Sequence, residues 1–143
     1  MSTAPTTRSG GCECGAVRYE VTGTMRKVVY CHCTQCQRMS GFYVAATACA
    51  TEDLRLVSES GLRWYKSSEI ADRAFCEVCG SNLFYRASNG KHMSIMAGTL
   101  DMPTGLFSRE HIHVEDAGDY YTINDGLPQY AGSHDDLWED NDA

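Results

Sequence analysis

The sequence predicts a mainly β domain of many short antiparallel strands. Apolar residues alternate with polar ones over short windows, as at Val17, Tyr19 and Val21 around Arg18 and Glu20, which is the period of a strand with one buried face. Gly, Asp, Asn and Ser interrupt nearly every apolar run. No long stretch carries apolar residues at helical spacing, and no internal repeat is visible.

Taken in chain order, Met1 to Gly10 is rich in Ser, Thr, Pro and Gly and reads as a flexible leader, with the domain boundary placed after residue 9. Strands are expected at Val17–Val21, Val28–Tyr30, Phe42–Thr47, Leu54–Val57, Leu62–Tyr65, Ala71–Cys76, Leu83–Tyr85, Met93–Met96 and His111–Val114. One short helix is expected, from Thr34 to Met39. Gly98 to Pro103 reads as a turn after a strand. The domain proper is assigned to residues 10–132 and an acidic tail to 133–143. A chain of 143 residues is one domain by default, long enough for a sizeable core.

The net charge of −7 is unevenly spread. Five of the nineteen acids, Asp135, Asp136, Glu139, Asp140 and Asp142, fall between His134 and Ala143, where there is no Lys or Arg. Such a run reads as a solvated, frayed end. Nothing resembles the basic stripe of a nucleic-acid binder, so nucleic acid is not an expected partner. No segment is long and apolar enough to cross a membrane as a helix, and Met1 to Gly11 lacks the apolar stretch of a signal peptide. The expected location is cytoplasmic, where thiols stay reduced.

In that compartment the eight cysteines point to metal or catalysis rather than disulfides. They fall as Cys12-Glu-Cys14, Cys31-His-Cys33-Thr-Gln-Cys36, a lone Cys49, and Cys76-Glu-Val-Cys79. Zinc takes four protein ligands in a structural site, and three plus an exchangeable one in a catalytic site. The outer pairs can close one four-cysteine site and leave the central trio for a second. A zinc ribbon joining Cys33 and Cys36 to Cys76 and Cys79 is the competing arrangement. Glycine favours the outer pairs: Gly15 follows Cys14 and Gly80 follows Cys79, where a positive φ lets the chain turn tightly around a metal. The trio has no such glycine before Gly41 and runs into the expected helix, whose N-terminus favours a thiolate. It can be an open site or can recruit His32 or another residue and close. Three thiolates give a zinc little Lewis acidity by charge counting, so an open site of this kind suits a substrate thiol better than water. Cys49, in the apolar run Val44 to Ala50, reads as a buried inert thiol.

His111 and His113, two apart on an expected strand, share a face and suit a metal pair or, more commonly, a hydrogen-bonded pair. Arg38, Arg63, Lys66, Arg73 and Arg86 are candidates for a substrate carboxylate, with surface charge the better reading of each. Tyr120, Tyr121 and Tyr130 suit a cleft or a cover over the core.

Gly10-Gly-Cys-Glu-Cys-Gly-Ala-Val-Arg-Tyr19, Cys31-His-Cys-Thr-Gln-Cys-Gln-Arg38 through Gly41, Phe75-Cys-Glu-Val-Cys-Gly-Ser81, Gly98-Thr-Leu-Asp101 and His111-Ile-His-Val114 occur in that order. Together they resemble the family of glutathione-dependent formaldehyde-activating enzyme and centromere protein V, over about residues 10 to 115. The resemblance implies a β-tent, or Mss4-like, fold stapled by zinc. It implies a structural zinc on Cys12, Cys14, Cys76 and Cys79 and a labile catalytic zinc on Cys31, Cys33 and Cys36. It also implies a carbon–sulfur lyase whose partner is a small thiol such as glutathione, joined to formaldehyde or another aldehyde. The competing expectations are a non-catalytic zinc module that binds a protein partner, and a thiol or methionine-sulfoxide redox enzyme relying on Cys49.

Overall fold

The computed structural model describes residues 6–133 and 137–142. Ten strands and one helix follow in order: β1 (Thr7–Gly11), β2 (Val17–Thr22), β3 (Val28–Cys31), α1 (Thr34–Ser40), β4 (Val44–Ala50), β5 (Leu54–Glu59), β6 (Leu62–Ser68), β7 (Ala71–Cys76), β8 (Asn82–Ala87), β9 (His92–Met96) and β10 (Ser108–Ile112). They form two sheets. The smaller has the order β1-β2-β5 and the larger the order β10-β3-β4-β9-β8-β7-β6. The mainly β, β-tent architecture expected from the sequence is the architecture found, with one departure from antiparallel pairing: β10 runs parallel to β3. Parallel neighbours need a long crossover, and here most of the chain lies between the two strands.

The core sits between the sheets. β2 alternates buried and half-buried residues, and Val17, Tyr19 and Val21 point inward with 1% exposure or less. They meet Leu83, Phe84 and Ile95 of the larger sheet, and Tyr19 packs edge-on against Phe84 with ring centroids 5.2 Å apart. The Tyr19 hydroxyl is satisfied by Thr99 Oγ1 at 2.7 Å, as a buried phenol requires. Cys49 lies in this core with no exposure, and burial pushes its thiol up to about 12, which makes it inert.

Both ends of the chain hold more structure than their composition suggests. Thr7, Arg8 and Ser9, read as leader, belong to β1 and pair with Thr22, Val21 and Glu20. Residues 1–5 of the leader lie outside the described residues. The acidic tail is not a frayed end over 137–142. Lys27 N donates to Glu139 O, Asn141 N donates to Met25 O, and the buried Asn141 side chain accepts from Phe107 N and donates to Gly105 O. Glu139 pairs with Lys27 and Arg109 at 3.0 and 3.2 Å. Glu139 finds its cations far away in sequence, which a local charge count misses. His134, Asp135, Asp136 and Ala143 lie outside the described residues.

Candidate metal centres

The cysteines gather into two groups. The sulfurs of Cys12, Cys14, Cys76 and Cys79 all lie within 4.8 Å of one another, as do those of Cys31, Cys33 and Cys36. The zinc-ribbon pairing is therefore excluded, because Cys33 and Cys36 stand apart from Cys76 and Cys79.

The four-cysteine group joins the two sheets. Cys12 and Cys14 lie in the turn between β1 and β2, while Cys76 ends β7 and Cys79 lies in the turn before β8. Backbone bonds hold the turns together: Glu13 N donates to Ser81 Oγ, Gly61 N to Ala16 O, and Glu77 N to Gly61 O. Gly15 and Gly80 adopt φ of +85° and +82°, the left-handed conformation expected of a glycine directly after each outer ligand. The Cys12–Cys14 and Cys14–Cys76 sulfur separations are 3.6 and 3.8 Å. A tetrahedral thiolate site with metal–sulfur bonds of about 2.3 Å has edges of about 3.8 Å, so the four sulfurs fit a metal ion. Val17 N donates to Cys12 Sγ at 3.2 Å. The hydroxyl and backbone N–H of Ser81, with the N–H of Cys14, hold the Cys79 thiol down at about 5. These donors favour anionic sulfur, the form that binds metal.

The three-cysteine group lies at one end of the larger sheet. Cys31 ends β3, Cys33 caps α1 by accepting from Cys36 N at 3.3 Å, and Cys36 is buried in the first turn of that helix. Hydrogen bonding from Cys31 pulls the Cys36 thiol down to about 6 against the effect of burial, helped by Cys33 and by the charge of Arg73. The same bond, with burial, raises Cys31. One shared negative charge on the trio is the favoured state, a ready seat for a cation. No fourth His, Cys, Asp or Glu joins the trio among the described residues. Instead it borders a cavity of about 330 Å³, lined also by Arg26, Arg73, Tyr85, Met96 and His113.

His32 turns away from this cavity. It is fully buried, and its ring joins a chain of short hydrogen bonds: Asp125 Oδ2 to His111 Nε2 at 2.7 Å, His111 Nδ1 to His32 Nε2 at 2.8 Å, and His32 Nδ1 to the Tyr121 hydroxyl at 2.6 Å. The His111 bond holds the Asp125 carboxyl below its usual range, so it is ionised and accepts. His111 therefore donates from Nε2 to Asp125, and the roles along the rest of the chain follow the protonation of the two imidazoles. Burial, then the neighbouring His111, pushes His32 down to about 4, so it stays neutral. The expected shared face of His111 and His113 does not form. His111 ends in this buried chain, while His113 lies beyond β10 in a left-handed turn and lines the cavity.

Sequence reasoning also undervalued Arg73. A lone Arg in a strand reads as solvated, but β7 lies inside the larger sheet, and Arg73 is only 7% exposed. The Asp125–His111–His32–Tyr121 chain was equally hidden, since its members are distant in sequence and carry no spacing signature.

These features define a β-tent protein with two cysteine clusters able to hold metal. Residues 7–116 match the family described as glutathione-dependent formaldehyde-activating enzyme, and the chain belongs to that family. A protein of Schizosaccharomyces pombe (strain 972 / ATCC 24843), named as an uncharacterized lyase, is 30% identical over 83 residues; the match covers 58% of this chain and 60% of that protein. A crystal structure of a Rhodobacter sphaeroides protein superposes with a TM-score of 0.56 at 23% identity, covering 85% of this chain and 98% of the other, a likeness of fold. No helix among the described residues is long and apolar enough to cross a membrane.

Proposed function

We propose that the protein is a zinc-dependent carbon–sulfur lyase that joins a small thiol to an aldehyde and reverses that addition. The observation that carries this reading is the difference in ligand number: four cysteines in one cluster, three beside a cavity in the other. Cys12, Cys14, Cys76 and Cys79 would hold a structural zinc, and Cys31, Cys33 and Cys36 a catalytic one. Bound in the trio, zinc would lower the pKa of a substrate thiol and keep it as thiolate. The family and the lyase-named relative support the reaction class.

The rest of the site orients the reactants. Cys36 and Cys33 are fixed by the helix cap, and Cys31 by pairing of β3 with β4 and β10. The cavity partly encloses an adduct seated against the trio. In the forward direction the thiolate sulfur attacks the carbonyl carbon, the C–S bond forms, and the carbonyl oxygen takes a proton. His113 and Tyr85 on the cavity wall are the groups able to exchange that proton. Glutathione is the first thiol to test, with formaldehyde as the aldehyde.

The test is two-dimensional exchange NMR of a thiol–formaldehyde mixture with and without zinc-loaded protein. Accelerated exchange that Cys36→Ser abolishes is the expected result. No acceleration with glutathione or simpler thiols, from protein holding two zincs, would leave a metal-stapled module that binds a protein partner.

A further inference from the structure

We propose that the cavity beside Cys31, Cys33 and Cys36 takes a short mercaptocarboxylate, or its aldehyde adduct, with the carboxylate held by Arg73. The assignment rests on reading the trio as a thiol seat and adds the identity of the ligand's other end.

Charge is the first argument. In a chain of net charge −7, the described cavity wall carries two arginines, Arg26 and Arg73, and no Asp or Glu. Both are more than nine-tenths buried, at 8% and 7% exposure. Buried guanidinium groups are normally paired with a carboxylate, since an unpaired buried charge is costly. Arg26 is partly served by backbone: Nη2 donates to Ala46 O at 2.8 Å and Nε to Lys27 O at 3.3 Å. Arg73 is served poorly. Its Nη1 meets the Met39 thioether at 3.3 Å, and its Nη2 meets Gln35 Oε1 at 3.4 Å and Cys36 Sγ at 4.0 Å. Its guanidinium lies over the Tyr85 ring at 5.0 Å, and its Nε has no partner. None of the ion pairs among the described residues involves it. A ligand carboxylate supplies the acceptor that the described residues withhold, and Arg is the side chain best shaped to take it.

Reach is the second argument. A ligand sulfur seated against the trio lies within about 4 Å of Cys36 Sγ, the edge of a four-sulfur site. Arg73 Nη2 is 4.0 Å from the same atom. With one hydrogen bond of about 2.9 Å to Arg73, a span of about 5 Å from the ligand's sulfur to its carboxylate oxygen is enough, and two or three carbons provide it. The apolar part of the wall, with Val29, Val44, Ala46, Met96, Ile112 and Leu137, suits methylenes, while Gln35, Ser68, Ser94 and Ser133 add polar groups beside it.

The experiment is a titration of the cobalt-loaded full chain with 3-mercaptopropionate, 2-mercaptoethanol and glutathione, read as apparent Kd from the visible cobalt spectrum. The expected result is that 3-mercaptopropionate binds about tenfold or more tighter than 2-mercaptoethanol, as a charge-assisted pair provides, and tighter than glutathione. Arg73→Gln should erase that preference and Arg73→Lys should keep part of it. Equal affinities for 3-mercaptopropionate and 2-mercaptoethanol in the unaltered protein would overturn the proposal, showing that the arginines only balance thiolate charge. Tighter binding of glutathione would overturn the short ligand. Silence from every thiol would remove the thiol seat itself, and this assignment with it. The unaltered protein decides among these outcomes even if neither variant folds.

Discussion

The two cysteine clusters use the same ligand and differ in what surrounds it. The four-cysteine cluster sits where the two sheets meet, with two ligands from the turn after β1 and two from the end of β7 and the turn after it. Its ligands come from segments about sixty residues apart, so a metal there closes a long loop and adds a fixed link to the core packing and backbone bonds between the two sheets. The three-cysteine cluster is local. Its ligands span six residues, from the end of β3 to the first turn of α1, and their backbone is already fixed by sheet pairing and a helix cap. Removing a metal from the first should therefore cost the fold, and from the second only the chemistry. Metal sites divide by where their ligands come from as much as by how many there are.

The sharpest way to break this contrast is to remove one ligand from each. Cys76→Ser should lose its metal and most of its folded structure, because structural zinc is worth on the order of 10 kcal/mol. Cys36→Ser should bind one metal fewer while keeping its far-ultraviolet circular dichroism and a cooperative thermal transition. Equal loss of structure in both variants would erase the division.

A smaller effect is expected at the hydrogen-bonded chain behind the trio. Tyr121→Phe leaves Nδ1 of the buried His32 without its hydrogen-bond partner. An orphaned buried polar atom costs about 1–3 kcal/mol, measurable by denaturant unfolding. Because His32 lies between Cys31 and Cys33, metal should also leave the trio faster in this variant, and the four-cysteine cluster should be unaffected. A cost spread equally over both clusters would mean that the chain supports the fold at large.

Much of this was legible in the sequence, and the legible parts share a feature. Strand alternation, the Cys-X-Cys and Cys-X-X-Cys spacings and the glycines after Cys14 and Cys79 are local signals, and the elements and cluster they announce are present. The illegible parts are non-local. β1 is made of Thr, Arg, Ser and Gly, and is a strand because β2 lies beside it. The acidic segment 137–142 docks because Lys27 and Arg109 await Glu139. Arg73 is buried because α1 lies over it, with Gln35, Cys36 and Met39 against its guanidinium, and Asp125 becomes part of the site only where the fold brings it to His111.

The most direct test of the central claim is the count of zinc released per chain against a chromophoric chelator, with circular dichroism followed in the same sample. Two zincs should be present at the start. One should leave first with the fold intact, and the second only as the structure is lost. Release of both together with unfolding, or a single zinc from the outset, would contradict the division between a closed structural cluster and an open chemical one.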